Sequence, residues 1–252
     1  MATEPSGLSN PASTGGAGVT FEARVQAAHL LAMLVGGPAP GMSEGSVVQL
    51  QFQAKVHGYT LDDLVCHSHL PNRSTAKALV QIKRTLKPRR SFAAFKDAIE
   101  AAWRDFGNRT LFQRGTDSLC VVYDGHGDSV MRGAETLVAR ARKSLSCAEL
   151  VIKVAAEKFS APSIRAASAE ICAIVANASG RAVDADELHA FLCHLHFVSI
   201  HLSTVESVEH AGRLALIRLA LGSDAALTPT GGLGRVGSSL PRLECQRCFG
   251  NA

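Results

Sequence analysis

The chain has 252 residues, of which 46% are hydrophobic and 19% charged, enough apolar material for a full core and for one large or two small domains. A formal net charge of +4 excludes the strongly basic class, so a nucleic-acid partner has to be argued from where the charges lie. Seven scattered cysteines argue against a disulfide framework, the first residues lack a signal-peptide pattern, and no run reaches the roughly 18 apolar residues of a membrane span. The expectation is a cytoplasmic protein with no membrane contact.

Residues 1–19 are rich in Gly, Ser, Pro and Thr and close on Gly15-Gly16-Ala17-Gly18, which predicts a flexible segment with a glycine loop. Thr20 can then cap a helix in which Val25, Ala28, Leu31, Ala32 and Val35 follow helical spacing until Gly36-Gly37-Pro38. Its second half is apolar nearly all round, which predicts burial. Glu22 falls in the first turn, where the helix dipole favours a carboxylate. The functional alternative is an outer metal ligand or an acid that orients water, beside a glycine loop whose N–H groups can face a phosphate.

Alternation from Val47 to Val56 predicts a half-buried strand with Val48, Leu50, Phe52, Ala54 and Val56 on the inner face. Gly58 turns the chain into Asp62-Asp63 and a second strand. Pro71-Asn72-Arg73-Ser74 turns it again into a third, which Pro88 ends. On that third strand Gln81 and Lys83 share one face while Val80 and Ile82 point into the core. Carboxylate, carboxamide and amine are thus expected to meet at the middle of a hairpin. Between Pro71 and Arg90 stand Arg73, Lys77, Lys83, Arg84, Lys87, Arg89 and Arg90 with no acidic residue among them, a cluster suited to a DNA or RNA backbone.

Phe92, Phe95, Ile99, Trp103 and Phe106 predict an amphipathic helix with Trp103 in the core. Ser118–Tyr123 predicts a buried strand and Val130–Leu145 a further helix. The order helix, three strands, helix, strand, helix implies an α/β domain over 20–145, a mixed sheet flanked by helices. Beyond it, Cys147–Phe159, Ser163–Asn177, Asp184–Leu202 and Val205–Leu221 predict a smaller helical module over 146–221, and the composition of 222–252 predicts a disordered tail. That tail holds a phosphate-loop-like run, Gly232 to Ser239, with Ser238 where the lysine belongs, and a lone Cys245-x-x-Cys248 pair. His189, Cys193, His194, His196 and His201 are read as core and half-exposed side chains.

Phosphodiester hydrolysis needs a hard cation, a water in line with the leaving oxygen and a cationic group near both. Mg²⁺ or Mn²⁺ takes oxygen ligands. Asp63 would give the carboxylate, with Asp62 the adjacent alternative, Gln81 its side-chain oxygen and Ile82 its backbone carbonyl. Lys83 would orient or help deprotonate the water and stabilise the pentavalent phosphate.

Glu22, Asp63 and Gln81-Ile82-Lys83, in this order, resemble the PD-(D/E)XK nuclease superfamily in the glutamine-for-glutamate form of Mrr-like restriction enzymes. The longer string Gly-Gly-Ala-Gly-Val-Thr-Phe-Glu, Asp-Asp-Leu-Val, Gln-Ile-Lys-Arg-Thr-Leu-Lys and Phe-Lys-Asp-Ala-Ile-Glu-Ala-Ala-Trp-Arg-Asp-Phe resembles the N-terminal double-stranded DNA endonuclease domain of bacterial antiphage proteins. Those include CD-NTase-associated endonucleases and NLR-like STAND NTPases. The likeness spans about residues 7–145. It implies a restriction-endonuclease-like fold, Mg²⁺-dependent DNA cleavage in antiphage defence, and a sensor or NTPase partner, or self-association. The sequence departs from the pattern in the neutral Gln81 and in stopping at Ala252, where the relatives continue into a sensor or NTPase domain; a stand-alone nuclease, one subunit of a split system and a truncated product are the readings. The alternative function is a DNA-binding adaptor that docks a partner through its helical half.

Overall fold

The computed structural model describes residues 17–125 and 128–202, together with positions 212 and 215. The chain forms α1 (Ala17–Leu34), β1 (Ser46–Phe52), β2 (Leu64–His69), β3 (Thr75–Lys83), α2 (Ala93–Gly107), β4 (Ser118–Asp124), α3 (Asp128–Arg142), α4 (Cys147–Ala155), α5 (Pro162–Ser179), α6 (Ala185–His194) and β5 (Leu195–Ile200). The strands make one open mixed sheet in the order β1-β2-β3-β4-β5. β1, β2 and β3 run antiparallel, and β4 and β5 are added in parallel. Parallel neighbours need helical crossovers, which α2 supplies for one pair and α3 to α6 for the other.

The pleat divides the core in two. On one face Val65, Leu79, Leu119, Val121 and Tyr123 pack with Phe95, Ile99, Leu137, Ile171 and Phe191 from the later helices. On the other, Leu64, Cys66, Val80, Ile82 and Val122 meet Phe21, Val25 and Ala28 of α1. β4 is buried at every position and so reads as a continuous apolar run. Trp103 lies in the core as expected, with its ring edge-on to Phe191 at 5.3 Å between centroids.

Four expectations are corrected. α1 starts at Ala17, so Gly18 and Thr20 lie inside it and no acidic residue stands in its first turn. Glu22 is therefore beyond the reach of the helix-end charge, which fades within one turn. The second half of α1 buries Ala28 and Leu31 but leaves Leu30 and Leu34 exposed, as is Val35 just past its end, since only one side of the helix meets the sheet. In β1 a bulge between Val47 and Gln49 turns over the residues before it, so Val47 is 3% exposed and Val48 46%, while Leu50 keeps its expected side against the core. That strand stops at Phe52 because Gln53 turns left-handed, with φ 50°, into a 3-10 turn over Ala54–His57.

The helix expected over Asp184–Leu202 ends at His194, and Leu195–Ile200 is a strand. Leu-His-Phe-Val-Ser-Ile alternates apolar and polar residues for most of its length and has β-branched and aromatic members, which pair readily beside β4. The region expected as a helical module thus lends a strand to the shared sheet, and Ile164, Ile171 and Phe191 join the α2-side core. Residues 1–16 of the expected flexible segment, with the first two glycines of its Gly15–Gly18 loop, the tail over 222–252 with Cys245 and Cys248, and most of Val205–Leu221 lie outside the described residues.

Candidate active site

Leu64 pairs with Val80, so Asp63, one residue before β2, stands level with Gln81. Lys83 is the last residue of β3. The group therefore gathers at the open end of the hairpin and not at its middle, since the turn Leu70–Ser74 closes the far end. The same end of the sheet holds the carboxyl ends of β3, β4 and β5, where parallel strands leave a crevice for ligands.

Asp63 Oδ2 accepts the Ile82 N–H at 2.6 Å and the Gln81 side-chain amide. Both donors land on one oxygen, so Oδ1 keeps its lone pairs for another partner. With its nitrogen directed at Asp63, Gln81 presents Oε1 as an acceptor. A glutamate there would have no proton to give and would repel Asp63. A strand residue's N–H and C=O leave on the same side, so the Ile82 carbonyl also points past the end of β2 toward Asp63.

Glu22 reaches in from α1 with Oε1 held by the Gln26 amide at 3.0 Å. Burial, then the neighbouring Asp63, pushes the Glu22 carboxyl above its ordinary range, with Lys83 and Gln26 opposing and Asp62 adding to the rise. Burial likewise raises Asp63, against the Ile82 N–H, Lys83 and Gln81, with Asp62 again adding repulsion. Three carboxylates and one ammonium therefore share one electrostatic neighbourhood. A divalent cation is the species that would relieve such crowding. Among the described residues no three His, Cys, Asp or Glu side chains form a metal-holding group, so a cation here would draw on the Gln81 and Ile82 oxygens besides Asp63. An open cleft of about 380 Å³ lined by Val19, Glu22, Ala23, Gln26, Phe52 and Gln53 adjoins Glu22.

The basic cluster divides. Arg84, Lys87, Arg89 and Arg90 are exposed in the loop that leaves Lys83, with the Arg90 guanidinium 3.9 Å from Glu170. Arg73 sits in the hairpin turn, roughly 30 Å along the strand from Lys83. Lys77 turns inward, where Nζ donates to the Leu111 carbonyl and lies 3.4 Å from the buried Asp117 carboxylate. Arg73 and Lys77 are thus not brought to the site.

Among the other histidines, His189 contacts the Ala141 carbonyl at 3.2 Å and His194 the Asp117 carbonyl at 3.0 Å. Two residues beyond the expected set, Gln26 and Asp105, belong to the frame of the site. Gln26 was legible as the i+4 partner of Glu22 on a helix. Asp105 was signalled by a carboxylate inside the aromatic stripe, between Trp103 and Phe106.

No family model matches this chain, and no curated protein or solved structure matches it. Among the described residues no helix is long and apolar enough to cross a membrane.

Proposed function

We propose that this chain is a Mg²⁺- or Mn²⁺-dependent endonuclease of the PD-(D/E)XK type that hydrolyses double-stranded DNA. The observation that carries the reading is the meeting of Asp63, Gln81 and Ile82 at the open end of the β2–β3 hairpin, with Glu22 and Lys83 in the same charged neighbourhood. The role in bacterial antiphage defence, in the cytoplasm and under control of a sensor or NTPase partner or of self-association, rests on the sequence resemblance.

A hard cation bound there would neutralise the charge that develops on the phosphate. Asp63 Oδ1, Gln81 Oε1 and the Ile82 carbonyl are the oxygens that would hold it, with Asp62 beside them. Lys83 would orient the attacking water and set positive charge beside the pentavalent phosphate. Glu22, its Oε1 tied to Gln26, has Oε2 left to accept a proton of that water. Gln81 and the Ile82 N–H keep Asp63 in place throughout. The exposed Arg84, Lys87 and Arg89 would grip neighbouring phosphates.

Plasmid cleavage in Mg²⁺ tests this, with wild type set against Lys83→Ala and Asp63→Ala. Wild type should cut, EDTA should stop it, and each variant should lose on the order of a thousandfold in rate. Undiminished cutting by Lys83→Ala defeats the mechanism, and plasmid binding without cutting by wild type would favour the adaptor instead.

A further inference from the structure

The loop that delivers Asp62 and Asp63 has no regular hydrogen-bonding partner strand of its own, yet Leu61 within it is fully buried. Its backbone is held from two directions. On one side the Asp62 carbonyl accepts the Ala54 N–H at 2.7 Å. On the other stands Asp105 of α2, which is only 1% exposed. Its Oδ1 and Oδ2 accept the Thr60 N–H at 2.8 and 3.0 Å, and Oδ2 also accepts the Leu61 N–H at 2.7 Å.

Nothing about α2 itself accounts for this carboxylate. It lies two residues from the helix end at Gly107, where the carbonyl ends of the peptide units disfavour negative charge. It is sunk among apolar neighbours, with Phe106 fully buried beside it in sequence, where an ionised group costs heavily unless its oxygens are bonded. Burial raises its carboxyl above the ordinary range, the Leu61 and Thr60 N–H groups and the Thr60 hydroxyl oppose that, and Asp62 adds repulsion, which also places the Asp62 carboxylate close by. A buried charge facing two successive amides fixes the direction of the chain just before the site.

We infer that Asp105 is a positioning residue: through the Thr60 and Leu61 amides it sets the backbone from which Asp63 meets Gln81, Ile82 and the cation. This rests on the nuclease reading above. Asp63 takes its own two bonds from the far strand, so a shift in the loop by even part of an ångström would separate it from Ile82 and Gln81 and spoil the oxygen set before any unfolding occurs. The charge on Asp105 is kept behind the site to hold it, and takes no part in the reaction.

The test compares wild type, Asp105→Asn, Ile171→Val and Ile171→Ala in the full chain. The two α5 core truncations supply a small and a large loss of thermal stability against which that of Asp105→Asn is set. Plasmid cleavage is followed against Mg²⁺ concentration, and Mn²⁺ binding is measured directly by calorimetry. Asparagine has one acceptor oxygen where the carboxylate has two, and no charge: in the Oδ2 place that oxygen keeps the Leu61 N–H, but the NH₂ group is then set against the Thr60 N–H that Oδ1 accepts. The expected result is a folded Asp105→Asn whose Mg²⁺ midpoint rises and whose Mn²⁺ affinity falls by at least about tenfold, while both Ile171 variants keep the wild-type values. An Asp105→Asn protein with unchanged midpoint and affinity, or Ile171 variants that shift them equally, overturns the positioning role and leaves the nuclease reading intact. A wild type that neither cuts DNA nor binds Mn²⁺ overturns the nuclease reading, and the positioning role with it.

Discussion

In the proposed site, Gln81 would decide how tightly a cation is held. Its amide donates to Asp63, which a carboxylate cannot do, so the neutral residue stabilises the site when no cation is present at the cost of one negative charge when a cation is bound. Replacing it by glutamate reverses the balance. Gln81→Glu should lower the melting temperature in EDTA, because a donor is lost and a like charge added, by the equivalent of about 1–3 kcal/mol. With Mg²⁺ the same variant should gain, binding the ion on the order of tenfold more tightly. Melting curves taken across a Mg²⁺ series check this, and a Gln81→Glu protein whose melting temperature ignores Mg²⁺ would remove position 81 from the ligand set.

At the scale of elements, the hairpin and the loop that follows it use their positive charges differently. Arg84, Lys87 and Arg89 stand exposed beside the site, whereas Lys77 on β3 is tied to Leu111, Tyr59 and Asp117 inside the protein. Alanine at all three loop positions should weaken DNA binding at least about tenfold and flatten the plot of log affinity against log salt by about 0.9 for each phosphate no longer neutralised. Fold stability should hardly move. Lys77→Ala should do the opposite, leaving the salt slope alone and costing about 2 kcal/mol in urea unfolding, because Asp117 keeps its charge in a buried place. Fluorescence anisotropy with a DNA duplex, alongside urea titrations, separates the two. Equal loss of DNA affinity in Lys77→Ala would show that the inward geometry is not what the DNA meets.

For the whole molecule, the later helices and β5 are bound into the same fold, and His194 and His196 there supply part of its expected sensitivity to acid. Burial pushes His196 on β5 down to about 4, with Arg142 and His194 adding to the effect. Burial also lowers His194 and His67. An imidazole depressed in the fold binds its proton more readily when unfolded. Its contribution is therefore fully present above the ordinary value of 6.5 and is lost as pH falls toward 4, by at most about 3 kcal/mol for His196. Urea midpoints measured between about pH 7 and 4.5 should fall accordingly, and His196→Gln should flatten that fall. Parallel curves for wild type and variant would exclude His196 as a source.

How much of this was legible beforehand varies with the kind of interaction. The candidate site was the most legible part, because Asp63, Gln81 and Lys83 depend on a two-residue strand period and a short hairpin, both local properties of the chain. The aromatic face of α2 followed from its spacing in the same way. What the sequence alone could not determine were matters settled across the fold. The bulge at Val47–Gln49 turned over the start of β1, burying Val47 on the same side as Leu50, because its register answers to β2 and not to its own alternation. Leu195–Ile200 became a strand because β4 offered a parallel edge, although a helix leads directly into it. The reach of Asp105 to Thr60 and Leu61 spans more than forty residues, a distance over which no local pattern carries information. The sequence by itself determined which groups the proposed chemistry would use, and only the tertiary structure decided that Asp63, Gln81 and Lys83 stand at the open end of the hairpin and what holds Asp63 there.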